Sequence, residues 1–463
     1  MTTHVVKAKE PTVLHGQSHY VLRPDDLLVG FKVDTAHVIP GEIDIARFDD
    51  ALARTLQAYP VHAGRVVRPR DPNDPWTISL GNQGVPVTVI ESDADTEVPT
   101  NTVIQRPFTL AKPVNVMKYL EHGNDEPLLR MTITRFTKTG STCVGLCASH
   151  LIGDGFVART FLRLLSQNYQ GLAPLDPPPS YTTPAPVPFN AADYGAIPHP
   201  DYAYFYPLRG VPPHLVPGGK KPVRVDIRLT AAQIAELRAG VLEQCTERDA
   251  PRLSRQDVLV ALLAYCLSKA DPDNPPIQHI CTIVMSRGIP PRPMSSIGNA
   301  LMWAMTDAAE NHASDTVFSI AQRIRRALLK YRDPAYAAAY DAAHAPLALR
   351  AINAELAQDF VQRPGHMLVN SSWRFDWTSA HFGFPGQTRF YHTVDLDEPQ
   401  VLKMFAPNPT RLTDGGWYTR SKDDVEMTFF VHKEQKGAFV ELFTAQARNL
   451  GLTGDIEWVG DVV

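Results

Sequence analysis

Five cysteines in 463 residues, Cys143, Cys147, Cys245, Cys266 and Cys281, leave little room for a disulfide framework. Their number is odd, their settings are apolar, and none falls into zinc-ligand spacing. They read as small core fillers in a reducing compartment. Charge of one sign is scarce too: 45 Lys and Arg stand against 49 Asp and Glu, a formal net charge of −4. That excess is too small to steer a partner and argues against a nucleic-acid binder. No uncharged apolar run reaches the ~18 residues that span a bilayer. Residues 1–10 hold no apolar signal core, so a cytoplasmic location is expected and export is not. No internal repeat is apparent. The Gly-x-Ser-x-Gly elbow of serine hydrolases is also missing, so nothing suggests a covalent acyl-enzyme.

What is present is an ordinary globular composition, 44% hydrophobic and 20% charged, long enough for two domains. Residues 20 to 40 look strand-rich. Asp44 is placed to N-cap a helix whose Phe48, Leu52, Leu56 and Tyr59 form the buried face, and Tyr59-Pro60 ends it. His62 has no partner nearby in the sequence and reads as a surface or packing residue. Residues 174–222 carry about a third of the chain's 40 prolines. Proline fixes φ and lacks a donor, so this stretch is a connector and neither core sheet nor helix. Tyr202, Tyr204 and Tyr206 suggest that it lies along the surface. Lys220-Lys221 at its end is a candidate for phosphates, weighed against a plain solvated linker.

Beyond the connector, Val223–Leu229 reads as a strand and Thr230 to Leu242 as a helix. Ser254-Arg-Gln-Asp257 resembles a capping box with Asp in the Glu place. Ile280 to Met285 is a strand. Ser314 is expected to cap a helix that buries Val317, Ile320, Ile324, Leu328 and Tyr331, with Arg323, Arg325, Arg326 and Lys330 on its wet face. Residues 425–432 alternate as a strand, and Phe439, Leu442, Phe443 and Ala447 mark a closing helix.

One stretch organises the rest. Leu129 to Thr137 alternate, 138–141 turn, and Thr142, Val144, Leu146, Ala148 and His150 return on one face of a strand. Cys143, Gly145, Cys147 and Ser149 take the other face. Both faces are small or apolar, so the strand is expected to be buried on both sides. It delivers His150 to a sharp turn through Gly153-Asp154-Gly155, and a helix follows from Phe156 to about Tyr169. A histidine near an apolar strand is more often a hydrogen-bonded core residue. The spacing His150-x-x-x-Asp154-Gly155 is more specific. With 16 His in the chain, and Asp and Gly at roughly 5% and 6%, chance gives only about 0.05 such matches. An imidazole fixed at a strand end suits a general base near neutrality.

This His-x-x-x-Asp-Gly stretch resembles the signature of the BAHD acyltransferases, in the superfamily of chloramphenicol acetyltransferase and peptide-synthetase condensation domains. Further landmarks follow in the family's order: Tyr59-Pro60…Ala63-Gly64-Arg65, the run Met285 to Ala300 for Arg-x-Arg…Gly-Asn, Ser371-Ser372-Trp373, and His381 to Gly386 for Asp-Phe-Gly-Trp-Gly. Condensation domains usually have a second His where Ser149 stands, and within the BAHD family the chain looks like fungal natural-product members. Two departures stand out. Met285 replaces the first Arg of Arg-x-Arg, and His381 replaces the Asp of the last motif.

The resemblance implies a mixed α/β fold of two chloramphenicol acetyltransferase-like domains, each a mixed sheet with flanking helices. Residues 1–173 and 223–463 would be the domains and 174–222 the crossover. It implies a monomer with no resident cofactor, transferring an acyl group, acetyl or larger, from acyl-coenzyme A to a hydroxyl or amine of a small molecule. His150 would be the base. Asp154 would hold the turn, with Arg287 as its partner, and Gly155 would permit the turn. Ser371, Trp373 and Arg374 are candidates for the acceptor side; His381, Gly383 and Lys220 for the acyl donor. Trp373 has an equal reading as a core aromatic, and His381 a structural one. Two rival readings stand: a relative that takes its acyl group from a carrier protein, and a catalytically silent binding protein of the same fold.

Overall fold

The computed structural model describes the chain except residues 11–12, 29, 73, 94–98, 106–111, 182–203, 209–221, 246–251, 271–274, 309–311, 360–363, 395–399 and 460–463. Most of the Pro-rich crossover, Tyr202 and Lys220-Lys221 included, lies outside the described residues. Of the rest, Tyr204–Pro207 pairs with Leu356–Asp359 in a small two-stranded sheet apart from the two main ones.

Two seven-stranded mixed sheets, each backed by helices, make up the fold. The first runs Thr2–Val6, Val85–Ser92, Leu129–Phe136, Ser141–Ser149, Lys32–Ile39, Arg389–Val394, Val103–Gln105. The expected hairpin therefore lies at its centre, where Leu129 pairs Ala148 and Phe136 pairs Ser141. Arg389–Val394 comes from within the 223–463 unit, yet it pairs antiparallel with Lys32–Ile39, Arg389 opposite Val38. By hydrogen bonding it belongs to the first sheet and ties the two halves together.

Helix α1 (Ile45–Ala58) packs on this sheet with Phe48, Leu52 and Leu56 fully buried. Burying each such side chain contributes about 1.5–3 kcal/mol. Asp44 caps it, its Oδ1 accepting from Arg47 N at 2.8 Å. Beside it lies α2 (Gly155–Gln170). His62 is in this core: its ring stacks on Phe161 with centroids 4.9 Å apart, and burial pushes its pKa down to about 3. Residues 20–40 hold the strand Lys32–Ile39 and the short His19–Val21, separated by a helical turn at Pro24–Asp26.

The second sheet runs Leu301–Met305, His279–Met285, His366–Ser371, Val401–Phe405, Val425–His432, Pro222–Leu229, Glu457–Val459. Helices α3 (Ala231–Glu243), α4 (Arg255–Ala270), α5 (Val317–Tyr331) and α7 (Lys436–Asn449) pack into its core; α6 (Pro334–Asn353) also contacts the turn at Pro24–Asp26. The capping box of α4 forms: Ser254 N donates to Asp257 Oδ2 at 2.6 Å, and Asp257 N to Ser254 Oγ at 3.2 Å.

Three expectations are corrected. Thr316, not Ser314, caps α5, because it is Thr316 that stands in extended conformation just before the first helical turn and accepts from Ser319 N. Ser314 ends a separate turn upstream. Arg323 and Arg325 are not merely wet: Arg323 pairs with Asp315 at 2.6 Å and Arg325 with the buried Asp257 at 2.5 Å. The strand Val425–His432 does not alternate, since all of 425–431 is buried. Its second face is covered by the first half, where Thr102 N donates to Glu426 Oε1 at 2.5 Å and Arg228, paired to Glu426, donates to Thr100 O.

Candidate active site

The strand Ser141–Ser149 is buried along its whole length, as its small and apolar composition on both faces requires. The chain then leaves the sheet in a helical turn, His150–Ile152, started by Ser149 Oγ accepting from Leu151 N. His150 N donates to Phe31 O at 3.0 Å, so the neighbouring strand's entry holds the histidine's backbone. The sharp turn is made by Gly153, whose φ of 145° places a hypothetical Cβ 2.6 Å from Val157. Gly155 was the expected turn residue, but it is the first residue of α2 and would meet Trp377 only at 3.7 Å, an ordinary contact. The position that requires glycine is therefore Gly153, one residue before the aspartate.

Asp154 caps α2. Its Oδ1 accepts from Phe156 N and Val157 N at 3.1 and 3.2 Å. Its Oδ2 accepts from Arg287 Nη1 at 2.6 Å and from Ala300 N at 3.1 Å. Burial alone would raise its pKa, but the Arg287 guanidinium and the Ala300 amide hold it below the usual carboxylate range. Arg287 is itself sequestered: it also donates to Ser296 O and Gly298 O, and its guanidinium lies over the Phe156 ring.

His150 is half-buried. Its Nδ1 lies 3.0 Å from Asn299 Oδ1, while Asn299 Nδ2 donates to His150 O at 2.7 Å. These two contacts fix the chemistry of the ring. The amide nitrogen has to face His150 O, which only accepts, so the amide oxygen faces Nδ1. The proton between them comes from the imidazole. Nδ1 therefore carries the hydrogen and Nε2 keeps its lone pair. Burial pulls the pKa of His150 below that of a free histidine; the bond to Asn299 and the charge of Asp154 oppose this in part. The neutral, proton-accepting form dominates at pH 7.

Asn299 belongs to the second half, so His150 sits where the two halves meet. Gly153 and Gly298 are bridged there as well. In the sequence Asn299 was visible only as part of a landmark, with no role. Arg23 and Asp26, which surround it, gave no signal: they are ordinary charged residues ahead of a strand. Asp26 has no exposed surface, accepts from Arg23 Nε at 3.0 Å, and accepts from Asn299 N at 2.6 Å.

The other candidates fall elsewhere. Ser371 Oγ donates to Gln256 Oε1 on α4, at 3.0 Å. Trp373 is a core aromatic, 1% exposed, with Nε1 donating to Asp424 O at 2.7 Å. Arg374 is exposed, lies over the Trp373 ring and pairs with Asp423. Among the described residues no hydrogen bond, ion pair or ring contact joins these three to His150. His381 Nδ1 accepts from Gly383 N at 3.2 Å and so shapes its own loop. That loop is anchored on the first half by Phe382, buried against Phe48 and Tyr169, with Phe382 N donating to Ser166 Oγ. Among the described residues no group of three or more His, Cys, Asp or Glu side chains is placed to hold a metal ion, and no helix is long and apolar enough to cross a membrane.

Residues 29–420 match the model of a family described as "Transferase family". A malonyltransferase of Salvia splendens, "Pelargonidin 3-O-(6-caffeoylglucoside) 5-O-(6-O-malonylglucoside) 4'''-malonyltransferase", is 26% identical over 180 residues. That match covers 38% of this chain and spans 41% of the relative's length. The fold matches vinorine synthase with a TM-score of 0.61 at 16% identity, covering 96% of this chain and 97% of that one. It also matches TRI101 of F. graminearum, solved with coenzyme A and deoxynivalenol, with a TM-score of 0.63 at 13% identity, covering 96% of this chain and 100% of that one. The chain belongs to this transferase family, the BAHD acyltransferases that His150-x-x-x-Asp154-Gly155 resembles.

Proposed function

We propose that this protein moves an acyl group from coenzyme A to a hydroxyl, or an amine, of a small-molecule natural product, with His150 as the general base. The observation that carries this reading is the pair of Asn299 contacts on His150: with Nδ2 donating to His150 O and Oδ1 3.0 Å from Nδ1, the hydrogen is assigned to Nδ1 and Nε2 is left as the acceptor. Nε2 would take the acceptor's proton as its oxygen attacks the thioester carbon. The tetrahedral intermediate then collapses, the C–S bond breaks, and the proton passes from His150 to the departing thiolate. A thiol, with a pKa of ~8.5, leaves more readily than an alkoxide, which sets the direction from thioester to ester.

Asp154 acts in this scheme by position. All four of its hydrogen bonds point into the turn, α2 and the Arg287 loop, so it holds the geometry and relays no proton. His381 and Gly383 read as loop-forming residues, and Trp373 as a core one. The two substrates would approach His150 along the seam between the halves, a common place for ligands.

The test is a panel of acyl-CoA donors, acetyl-CoA and malonyl-CoA among them, each with a set of simple alcohols and glucosides, read by release of free coenzyme A. Malonyl-CoA enters because the Salvia splendens relative is named for malonyl transfer. The same acyl groups on a carrier-protein pantetheine arm form the second arm. The reading expects acyl-CoA turnover, reduced about 10²- to 10⁴-fold in His150→Ala, the usual scale for losing a general base. Full activity of His150→Ala, or turnover with carrier-bound donors alone, overturns it.

A further inference from the structure

We propose that Asp26, held by Arg23, is a positioning residue for the reaction: it holds the backbone of Asn299 and, together with His150 O, orients the Asn299 amide, which selects the proton-accepting nitrogen of His150. This rests on the reading of His150 as the base.

The geometry is a clasp around one residue. Asp26 Oδ1 accepts from Asn299 N at 2.6 Å and lies 3.4 Å from Asn299 Nδ2. Arg23 Nη2 donates to Asn299 O. Both backbone groups of Asn299 are thus held by one ion pair, and the side-chain nitrogen faces the same carboxylate. Arg23 and Asp26 are joined by three bonds: Nε to Oδ2, Nη2 to Oδ1, and Arg23 N to Oδ2. An amide facing an anionic oxygen on one edge turns its NH₂ there, because an oxygen in that place would meet another oxygen. The carbonyl edge is left for His150 Nδ1.

Gly298 gives a second, independent indication. Its φ is 89°, and a Cβ there would lie 2.5 Å from Arg23 Nη2 and 2.7 Å from Asp26 Oδ1. The backbone before Asn299 is therefore bare where the clasp closes on it. The pair also spans the molecule: Asp26 lies in the turn at Pro24–Asp26 and Asn299 is 273 residues away. Asp26→Asn keeps the shape but has only one acceptor oxygen, so its NH₂ must face either Arg23 or Asn299, both donors.

The experiment is the pH dependence of kcat/KM for Asp26→Asn, Asn299→Ala and the double variant, using the donor–acceptor pair that turns over fastest in the panel above. Among the described residues, the charged and titratable groups around His150 and its clasp are Asp154, Arg287, Asp26 and Arg23, with Tyr20, Asp25 and Asp341 acting on Arg23 and Arg292 paired to both Asp25 and Asp341. Loss of the Nδ1–H···O bond lowers the basicity of His150, because that bond favours the protonated ring. Asp26→Asn is expected to lower the plateau rate about 10- to 100-fold, the scale for outer partners of functional histidines. Its acid limb should move to lower pH, with the KM for the acyl donor nearly unchanged. Asn299→Ala should do the same, and the double variant should be no worse than the poorer single one.

A limb that stays in place, or losses that multiply in the double variant, overturns the proposal. Should Asp26→Asn fail to fold, Arg23→Lys gives the same reading, since a single ammonium cannot hold Asp26 and Asn299 O together. If His150→Ala is inactive while the limb of Asp26→Asn is unmoved, only the clasp fails. If His150→Ala is fully active, the base reading fails with it.

Discussion

Arg287 Nη1 and Asp154 Oδ2 are 2.6 Å apart, with a sequence separation of 133 and almost no exposed surface on either side chain. The bond joins the turn after the His150 strand to the loop that carries Asn299. Each partner is further satisfied by backbone groups: Ala300 N, Phe156 N and Val157 N on the acid, Ser296 O and Gly298 O on the base.

Breaking this pair from one side leaves a buried charge without its counter-ion. Arg287→Met is expected to destabilise the protein by about 3–5 kcal/mol, read from chemical denaturation. Asp154→Asn should lose stability together with rate. The double variant should recover part of the stability loss and none of the activity. A purely kinetic loss in Asp154→Asn contradicts the structural role given to the carboxylate.

Gly298→Ala should disrupt the clasp on Asn299 without touching a reacting group. The Cβ has no room against Arg23 and Asp26, and the φ of 89° disfavours it further. A fall in kcat/KM of about 10-fold or more is expected with the fold retained, on the scale of lost positioning contacts. Activity equal to wild type would show that the loop relaxes without moving Asn299.

Histidines sequestered away from His150, His37 and His62 among them, set a stability limit in acid. His37, fully buried with Nε2 donating to Trp377 O at 3.0 Å, has its pKa lowered by burial to about 4, and His62 to about 3. In the unfolded chain both titrate near 6.5. Between that value and their folded values the unfolded state binds more protons, so stability falls as the pH drops from about 6.5 toward 4. Each contributes on the order of 1 kcal/mol per pH unit at full effect. Denaturation midpoints against pH should show this slope, and His62→Phe, which keeps the ring against Phe161, should reduce it. An unchanged slope in His62→Phe contradicts the assignment.

Arg374→Ala should change kcat/KM by no more than about twofold, since an exposed pair such as Arg374–Asp423 is worth little. Trp373→Phe should instead lower stability by about 1–3 kcal/mol, through the unmet Asp424 carbonyl and lost packing. A large change in substrate preference in either variant would return these residues to the acceptor pocket.

The sequence is legible where one local rule decides the outcome. Asp44 and Ser254 cap as their spacing demands, and the small residues of 141–149 lie in a doubly covered strand. It misleads where long-range packing decides. Ser371 and Trp373 share a motif but face α4 and the second core. Val425–His432 is covered on its polar face by residues 100–102, which no periodicity announces. Nor does anything near Asp26 in the chain show that it will meet Asn299, because that contact exists only once the halves close on each other.

The most direct measurement is kcat/KM against pH for wild type and His150→Ala on one donor–acceptor pair. The wild type should show a one-proton acid limb below pH 6.5, since burial lowers the pKa of His150. In His150→Ala the rate should be about 10²- to 10⁴-fold lower with that limb gone. The same limb at a similar rate in His150→Ala would contradict the reading of His150 as the base.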